Sequence, residues 1–200
     1  MRFVILFMLS LASFISIASY KPQDGDIIFQ SSQSRQSLAV EQATNSPYSH
    51  MGIIFIKNNG KPYVFEAANK VVYTPLNSWI ARGKNKNYII KRLKNHNLSH
   101  SEIAKLKQVA SSFEGKPYDI WFGWDNNYIY CSELIWKIYD KALKLKIGQL
   151  QTIKDFNLSS PVVKKKLKER YGNKIPYQET VISPVSIFNS PLLTTVDKQW

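Results

Sequence analysis

The stretch that decides the fold reads Tyr128-Ile129-Tyr130-Cys131-Ser132-Glu133-Leu134-Ile135-Trp136-Lys137-Ile138-Tyr139. An aromatic run ends at Cys131, and apolar residues at helical spacing begin directly after it. We therefore predict a helix over residues 132–144, with the thiol at its N-terminus. The unpaired N–H groups and the positive end of the helix dipole favour a thiolate there. A buried structural thiol is the alternative, because free cysteine is among the most buried residue types.

The N-terminal residues have the pattern of a secretory signal peptide. Arg2 is followed by a short apolar stretch, and Ser16 and Ala18 suit the small-residue cleavage positions. We expect residues 1–18 to be removed and residues 19–200 to form one exported domain, periplasmic or secreted. Cys131 is the only cysteine in the sequence, so it has no partner for an internal disulfide. An unpaired cysteine in an exported protein points to a reactive thiol.

The formal net charge is +13, from 27 Lys and Arg against 14 Asp and Glu. Such a balance raises the question of nucleic-acid binding. The densest cluster is confined to residues 164–170, and no stacking platform or groove-reading helix accompanies it. We therefore expect a solvated face and no nucleic-acid partner. Peripheral attraction to anionic cell-wall polymer or lipid headgroups is the interpretation that fits an exported protein.

Apolar and β-branched runs bounded by turn residues predict the strands of a sheet. They cover Ile27–Phe29, Met51–Ile56, Tyr63–Ala67, Val71–Tyr73 and Tyr88–Arg92. Short connections between them predict antiparallel pairing. Helices are expected over Ser37–Thr44 and from the capping box of Ser99 and Glu102 to Gly115. With the helix after Cys131, this pattern indicates the α+β class, one antiparallel sheet packed with helices.

A nucleophilic thiol needs a base, and a third group that holds the base in one tautomer. The three histidines are His50, His96 and His100. His96 and His100 lie in a polar stretch at a helix start, and we expect them to face water. His50 enters an apolar strand, and Gly52 beside it allows another segment to come close. A partly buried histidine satisfied by backbone groups is the alternative.

Glu66 is the candidate for the third group, because it follows Tyr63-Val64-Phe65 across a hairpin from His50. A carboxylate in apolar surroundings must accept hydrogen bonds or pair with a cation. An imidazole that has taken the thiol proton is a suitable partner. A solvent-facing strand residue is the alternative, since strand side chains alternate between the two faces.

Five motifs occur in a specific order along the chain. They are Asp24-Gly25-Asp26-Ile27-Ile28-Phe29, Ser46-Pro47-Tyr48-Ser49-His50-Met51-Gly52, Val64-Phe65-Glu66-Ala67, Gly115-Lys116-Pro117-Tyr118-Asp119 and Tyr130-Cys131-Ser132-Glu133-Leu134. This set resembles the YiiX/YebB-like proteins, which are circularly permuted relatives of NlpC-type cell-wall hydrolases within the papain-like superfamily. The resemblance runs from about Gln23 to Tyr139, with a weaker similarity at Ile182-Ser183-Pro184.

The resemblance implies a circularly permuted papain-like (NlpC-type) fold in which the histidine precedes the cysteine in the chain. It implies Cys131 as the nucleophile, His50 as the general base and Glu66 as the orienting third residue. The segment Gly115-x-Pro117-Tyr118 is similar to the one that precedes the cysteine in NlpC enzymes, where the tyrosine lies beside the oxyanion site. Tyr118 is therefore a candidate hydroxyl donor to the oxyanion, together with the backbone N–H of Cys131. A core aromatic is the alternative for Tyr118.

The resemblance also implies an exported cysteine hydrolase that cleaves an amide bond, in a peptide or a peptidoglycan stem, through a thioester. Neither a metal nor an organic cofactor enters this chemistry. A lipid acyl hydrolase or acyltransferase with the same triad stays open, and its substrate is then an acyl lipid rather than a cell-wall peptide. A non-catalytic wall-binding module and a basic adhesin for anionic polymer are the alternatives from other classes. By analogy, residues 31–34 are expected to form a polar subsite near the thiol.

Overall fold

The computed structural model of the protein describes residues 20–34 and 36–200. The predicted signal peptide, residues 1–18, lies outside the described residues. The strands span Ile27–Gln30 (β1), His50–Ile56 (β2), Pro62–Ala67 (β3), Val71–Pro75 (β4), Tyr88–Leu93 (β5), Gln151–Thr152 (β6), Thr180–Val181 (β7) and Leu193–Gln199 (β8). The helices span Ser37–Thr44 (α1), Leu76–Ala81 (α2), His100–Ser111 (α3), Cys131–Leu143 (α4), Pro161–Tyr171 (α5) and Pro184–Phe188 (α6), with short 3-10 segments at Lys84–Lys86 and Ile153–Asp155.

Six strands form one antiparallel sheet in the order β4-β3-β2-β1-β5-β8. The predicted α+β class and the antiparallel sheet are confirmed. The outermost strand, β8, was not predicted, because only Leu193 among its seven residues is buried and its pattern is largely polar. It pairs along β5 as an edge strand and needs no apolar alternation for that. A separate two-stranded ladder joins β6 to β7.

Helix α4 lies at the centre of the molecule. Its first nine residues, Cys131 to Tyr139, are all buried, and it packs on α3, β2 and β3. The helix begins at the cysteine itself, one residue before the predicted start. Its N-terminus is tied to the C-terminal region, since the Ser132 hydroxyl donates to the Ile182 carbonyl at 2.7 Å. The Ile182 N–H in turn donates to the Tyr130 hydroxyl at 3.0 Å.

The motif Asp24-Gly25-Asp26 holds the start of the sheet in place. The Asp26 carboxylate accepts from Arg92 Nε at 2.6 Å and from its Nη2 at 2.8 Å, which ties β1 to β5. The Asp24 carboxylate pairs with Lys107 at 2.8 Å on α3. Gly25 has φ +87°, and its carbonyl accepts from the buried Tyr139 hydroxyl of α4. The motif therefore anchors the central helix against the sheet, which explains its place beside the site motifs.

None of the helices within residues 20–34 and 36–200 has the length and apolar character to cross a bilayer.

Replacing Gly25 by Ala tests this anchor. A Cβ at this position would clash with Leu98 Cδ1 and come within 3.3 Å of the Tyr139 hydroxyl. Gly60→Ala is the matched control, because Gly60 has φ +73° and no atom within 4 Å of a built Cβ. Backbone strain alone should lower the free energy of unfolding by about 1 kcal/mol at Gly60. The clash should add roughly 1–3 kcal/mol at Gly25. Equal losses for the two variants in urea unfolding would contradict the anchoring role.

Candidate active site

The carboxylate of Glu66 is fully buried and accepts hydrogen bonds from four side chains. His50 Nε2 lies 2.6 Å from Oε2, and the Trp79 indole donates to the same oxygen at 3.0 Å. Thr74 Oγ1 and Arg82 Nη2 each donate to Oε1 at 2.5 Å. The donors come from β2, β4, α2 and the residue that caps α2. Both oxygens of Glu66 are thus fixed, and so is the imidazole that depends on them.

Histidine 50 lies between this carboxylate and the thiol. Its side chain is 14% exposed, and its ring stacks on Trp79 at a centroid distance of 5.8 Å. Since Nε2 faces Glu66, Nδ1 remains for Cys131, which is within hydrogen-bonding reach of the ring. Burial lowers the pKa of His50, but the hydrogen bonds and charges of Cys131 and Glu66 outweigh it and raise the pKa to about 9. These two neighbours therefore favour the protonated form of the imidazole.

The pKa of Glu66 responds to the same contacts in the opposite direction. Burial alone would raise it, yet the hydrogen bond and charge of His50, with the contacts of Thr74 and Arg82, lower the pKa to about 2. A carboxylate that accepts several hydrogen bonds and faces two cations is stabilised in its charged form. Glu66 therefore stays ionised throughout the pH range in which His50 titrates.

Tyr118 lines the same cavity as Cys131 and accepts a hydrogen bond from Gln36. Burial and the negative charge of Cys131 raise the pKa of Tyr118, so its hydroxyl keeps its proton. Gln36 Nε2 donates to the Tyr118 oxygen at 2.7 Å. Arg170 Nη2, from the last turn of α5, donates to Gln36 Oε1 at 2.6 Å. The guanidinium of Arg170 lies over the Phe122 ring, 4.5 Å from its centroid.

A cavity opens beside Cys131 between α1, α5 and the segment after β7. It contains about 830 Å³ of space between atoms, part of which is open to solvent. Cys131, Gln36, Tyr118 and Arg170 are among its lining residues. Most of the remaining wall is apolar. That apolar wall includes Ala39, Val40, Ala43, Ile153, Phe156, Leu158, Val163, Leu167, Val181 and Ile182.

The structure brings Cys131, His50 and Glu66 together, although they are spread over 82 residues of sequence from His50 to Cys131. Of the four predicted site residues, Cys131 and Tyr118 line the cavity. His96 and His100 are exposed, as expected. The predicted polar subsite differs from the structure: Gln36 and Ser49 line the cavity, and residues 31–34 are not among the lining residues. Ser31 instead donates to the Pro47 carbonyl at 2.5 Å.

Sequence reasoning missed the three other partners of Glu66 and also Arg170. The need of a buried carboxylate for donors was predictable, but Thr74, Trp79 and Arg82 carry no motif that identifies them. Arg170 was included in a lysine-rich run that we expected to be a solvated face. Lys164, Lys165 and Lys168 are indeed exposed, whereas Arg170 turns inward to Gln36.

The two pKa shifts fix how the His50–Glu66 pair affects stability. Because the pKa of His50 is raised from 6.5 to about 9, its contribution is complete below pH 6.5 and is lost as pH rises through 9. Because the pKa of Glu66 is lowered from 4.5 to about 2, its contribution is complete above pH 4.5 and is lost as pH falls through 2. The pair is therefore fully stabilising between pH 4.5 and 6.5.

In Glu66→Gln we expect the pKa of His50 to fall, and the extra stability at pH 6 over pH 9.5 to shrink. NMR titration of the imidazole and urea unfolding at both pH values measure these effects. Glu102→Gln is the matched control, since Glu102 pairs with the exposed His96 at 3.0 Å and glutamine preserves its capping box. A His50 titration that is the same in Glu66→Gln and in the wild type would contradict the assigned contacts.

Comparison with known proteins identifies relatives along nearly the whole chain. The protein is 49% identical over 195 residues to the uncharacterized protein YiiX of Escherichia coli strain K12, an alignment that covers 98% of this chain and 96% of that protein. A crystal structure of yiiX from Escherichia coli O157:H7 superposes with a TM-score of 0.88 at 50% identity, covering 90% of this chain and 99% of that one.

The yiiX protein in that crystal structure is described as a metalloprotein. Within residues 20–34 and 36–200 of the present chain, no three His, Cys, Asp or Glu side chains are grouped as a metal site requires. Both oxygens of Glu66, and Nε2 of His50, are already taken by the contacts described above. The donor set of these described residues therefore does not fit a metal ion.

A family model described as permuted papain-like amidase enzyme, YaeF/YiiX, C92 family, matches residues 21–197. That span includes the thiol, the imidazole and the carboxylate, as well as the cavity beside them. The match, the 49% identity to YiiX and the shared fold lead to one conclusion. The chain belongs to the permuted papain-like amidase family YaeF/YiiX.

Proposed function

We propose that the protein is a cysteine amidase that transfers an apolar acyl group to water through a thioester on Cys131. The observation that carries the proposal is the apolar cavity with Cys131 in its wall. The family description supplies the amide bond. The apolar wall of the cavity indicates an apolar acyl group.

The cavity wall favours a hydrocarbon chain next to the scissile carbonyl. Val40, Phe156, Leu158 and Val163 present side chains without polar atoms, and each CH₂ removed from water against such a wall contributes about 0.8 kcal/mol. A peptidoglycan stem, which carries carboxylates and peptide groups, would leave its polar atoms without partners there. The predicted preference for a stem peptide remains a prediction, and the cavity does not support it. An N-acyl amide or an acyl lipid fits better.

The reaction begins with transfer of the thiol proton to the imidazole. His50 lies between Glu66 and Cys131 and acts as the general base, so the sulfur attacks the carbonyl carbon as a thiolate. A carbon–sulfur bond forms and the carbonyl π electrons move to oxygen. His50 then gives its proton to the leaving nitrogen as the carbon–nitrogen bond breaks. Water, deprotonated by His50, hydrolyses the thioester and releases the acid.

Two groups are available to stabilise the oxyanion. The backbone N–H of Cys131 is one of the first N–H groups of α4, which the helix itself leaves without a partner. Tyr118 lines the same cavity as Cys131, and the negative charge of Cys131 contributes to the raised pKa of its hydroxyl. Removing one donor from such a site lowers kcat by about 10²–10³-fold. We assign the two oxyanion donors to these groups.

Replacing Cys131 by Ala should abolish hydrolysis, because no other thiol exists in the chain. The substrates to use are the butanoyl and octanoyl amides of 4-nitroaniline, with release of the amine followed by absorbance. Purified cell-wall fragments and phospholipid vesicles, analysed by mass spectrometry, form the comparison arms. A folded Cys131→Ala protein that still hydrolyses the amides would overturn the proposal, as would a wild type that acts only on wall fragments.

The chain-length dependence tests the cavity directly. Each CH₂ placed in an apolar wall should raise kcat/KM by a factor of about four until the cavity is filled. Ala43→Phe, which projects into the cavity, should move the optimum to shorter acyl groups. Ala104→Phe on the exposed face of α3 is the matched control and should leave the optimum unchanged. Equal kcat/KM for butanoyl and octanoyl amides would place the acyl group elsewhere.

A further inference from the structure

Gln36 and Arg170 are not needed for the chemistry described above, although both lie at the cavity. Their hydrogen bonds form a chain in which the donor and the acceptor of each bond can be assigned. An arginine side chain has only donors, so the group of Gln36 that faces Arg170 must be the amide oxygen. The amide nitrogen then faces Tyr118 and has only hydrogens to offer. This assignment of the amide follows from the chemistry of Arg170 and not from the placement of hydrogens.

The same donor–acceptor order extends to Tyr118. Since the Tyr118 oxygen accepts from Gln36 at 2.7 Å, its single proton is not used in that contact. That proton is available to a second partner, and Cys131, on which the oxyanion would form, lines the same cavity as Tyr118. If the amide of Gln36 were reversed, its oxygen would compete for the same proton. The direction of the Tyr118 hydroxyl therefore depends on Arg170 of α5, whose guanidinium donates to Gln36 Oε1 at 2.6 Å and so fixes the orientation of the amide.

We infer that Arg170 and Gln36 are positioning residues, which together direct the Tyr118 hydroxyl as a donor to the oxyanion. Arg170 is itself fixed against Phe122, and Gln36 is the residue that caps α1, so both ends are held by the fold. The lysine-rich helix α5 thereby contributes to catalysis through Arg170. The inference rests on the proposed function, because it concerns the oxyanion of that reaction.

The substitution Gln36→Glu distinguishes a positioning role of this side chain from a packing role. Gln36→Glu keeps the shape of the side chain and strengthens its contact with Arg170, but it presents an acceptor to Tyr118. We expect kcat to fall about 100-fold or more, as for the loss of an oxyanion donor, with KM nearly unchanged. Gln42→Glu is the matched control on the same helix, since the Gln42 oxygen accepts from Ser160 at 2.6 Å and a carboxylate can do the same. It should retain wild-type kcat.

A second variant excludes simple charge repulsion as the cause. In Tyr118→Phe there is no hydroxyl to direct, so adding Gln36→Glu should lower kcat no further. If the added charge acted on the oxyanion directly, the two losses would multiply. Arg170→Met should lower kcat because the amide is then free to reverse, and Arg170→Lys, which restores a donor, should recover most of the loss.

Binding of octanal gives a readout that does not require turnover. The sulfur of Cys131 adds to the aldehyde carbon, and the carbonyl π electrons move to oxygen. The thiol proton stays on His50, so the tetrahedral adduct carries its negative charge on the oxygen that the proposed donors would bind. With ¹³C-labelled octanal, NMR should show this adduct in the wild type and binding weakened about tenfold or more in Gln36→Glu, as expected for a lost oxyanion donor. Octanol, which fills the cavity without forming an oxyanion, should bind both proteins equally.

The outcomes are distinguishable. Unchanged kcat and unchanged octanal binding in Gln36→Glu, with an active wild type, overturn the inference alone. An effect confined to KM, or multiplied losses in the double variant, also overturns it. A folded wild type that neither hydrolyses the amides nor forms the adduct overturns the proposed function, and the inference with it.

Discussion

The buried carboxylate of Glu66 is the constraint on which the rest of the site depends. A charged group without solvent requires several donors, and here four side chains from different elements supply them. The same contacts that stabilise the carboxylate align β2, β3, β4 and α2 at one edge of the sheet. They also leave the imidazole of His50 only one orientation, with its second nitrogen toward the sulfur. The contacts of Glu66 therefore both stabilise the fold and orient the imidazole of His50 toward the thiol.

The central helix brings the sulfur to that imidazole. Helix α4 is buried along its first nine residues, so its axis is fixed by packing rather than by its ends. The contact from Tyr139 to the Gly25 carbonyl and the contact from Ser132 to the Ile182 carbonyl hold it at two levels. The second contact matters for the cavity, because residues 181–184 form part of its wall. The thiol and the apolar cavity are therefore positioned by the same helix.

The C-terminal third of the chain adds the wall that faces the thiol. Helix α5 places Val163, Leu167 and Arg170 at the cavity while Lys164, Lys165 and Lys168 remain in solvent. The apolar residues recur at i and i+4, which is the spacing of one helical face. This arrangement gives one short helix two roles. It covers the apolar cavity on one side and presents exposed lysines on the other.

The sequence was sufficient for the elements whose pattern is local. Helix α1, the first five strands and the capping box of α3 followed from periodicity, turn residues and caps, and they were placed within one or two residues at most ends. The end of α3 was placed too late, because the chain leaves the helix at Ser111 and Gly115 ends only the following turn. Strand β8 and helix α5 were not predicted, since edge position and lysine content obscured their patterns.

Some residues of the candidate site were likewise predictable from sequence, and others were not. The convergence of Cys131, His50 and Glu66 was predictable from their motifs, and their catalytic roles stay a prediction. The partners Thr74, Trp79 and Arg82 and the chain from Gln36 to Arg170 depend on which elements become neighbours, and residue types alone do not encode that. The nature of the cavity likewise required side chains from four separated segments to be brought together.

The most direct test of the central claim is the mass of the protein, acid-quenched during reaction with the octanoyl amide of 4-nitroaniline. The account predicts an added octanoyl group on the peptide that contains Cys131, absent from Cys131→Ala and removed on further incubation without quench. Release of the amine with no acyl adduct, or with the adduct on another residue, would contradict it.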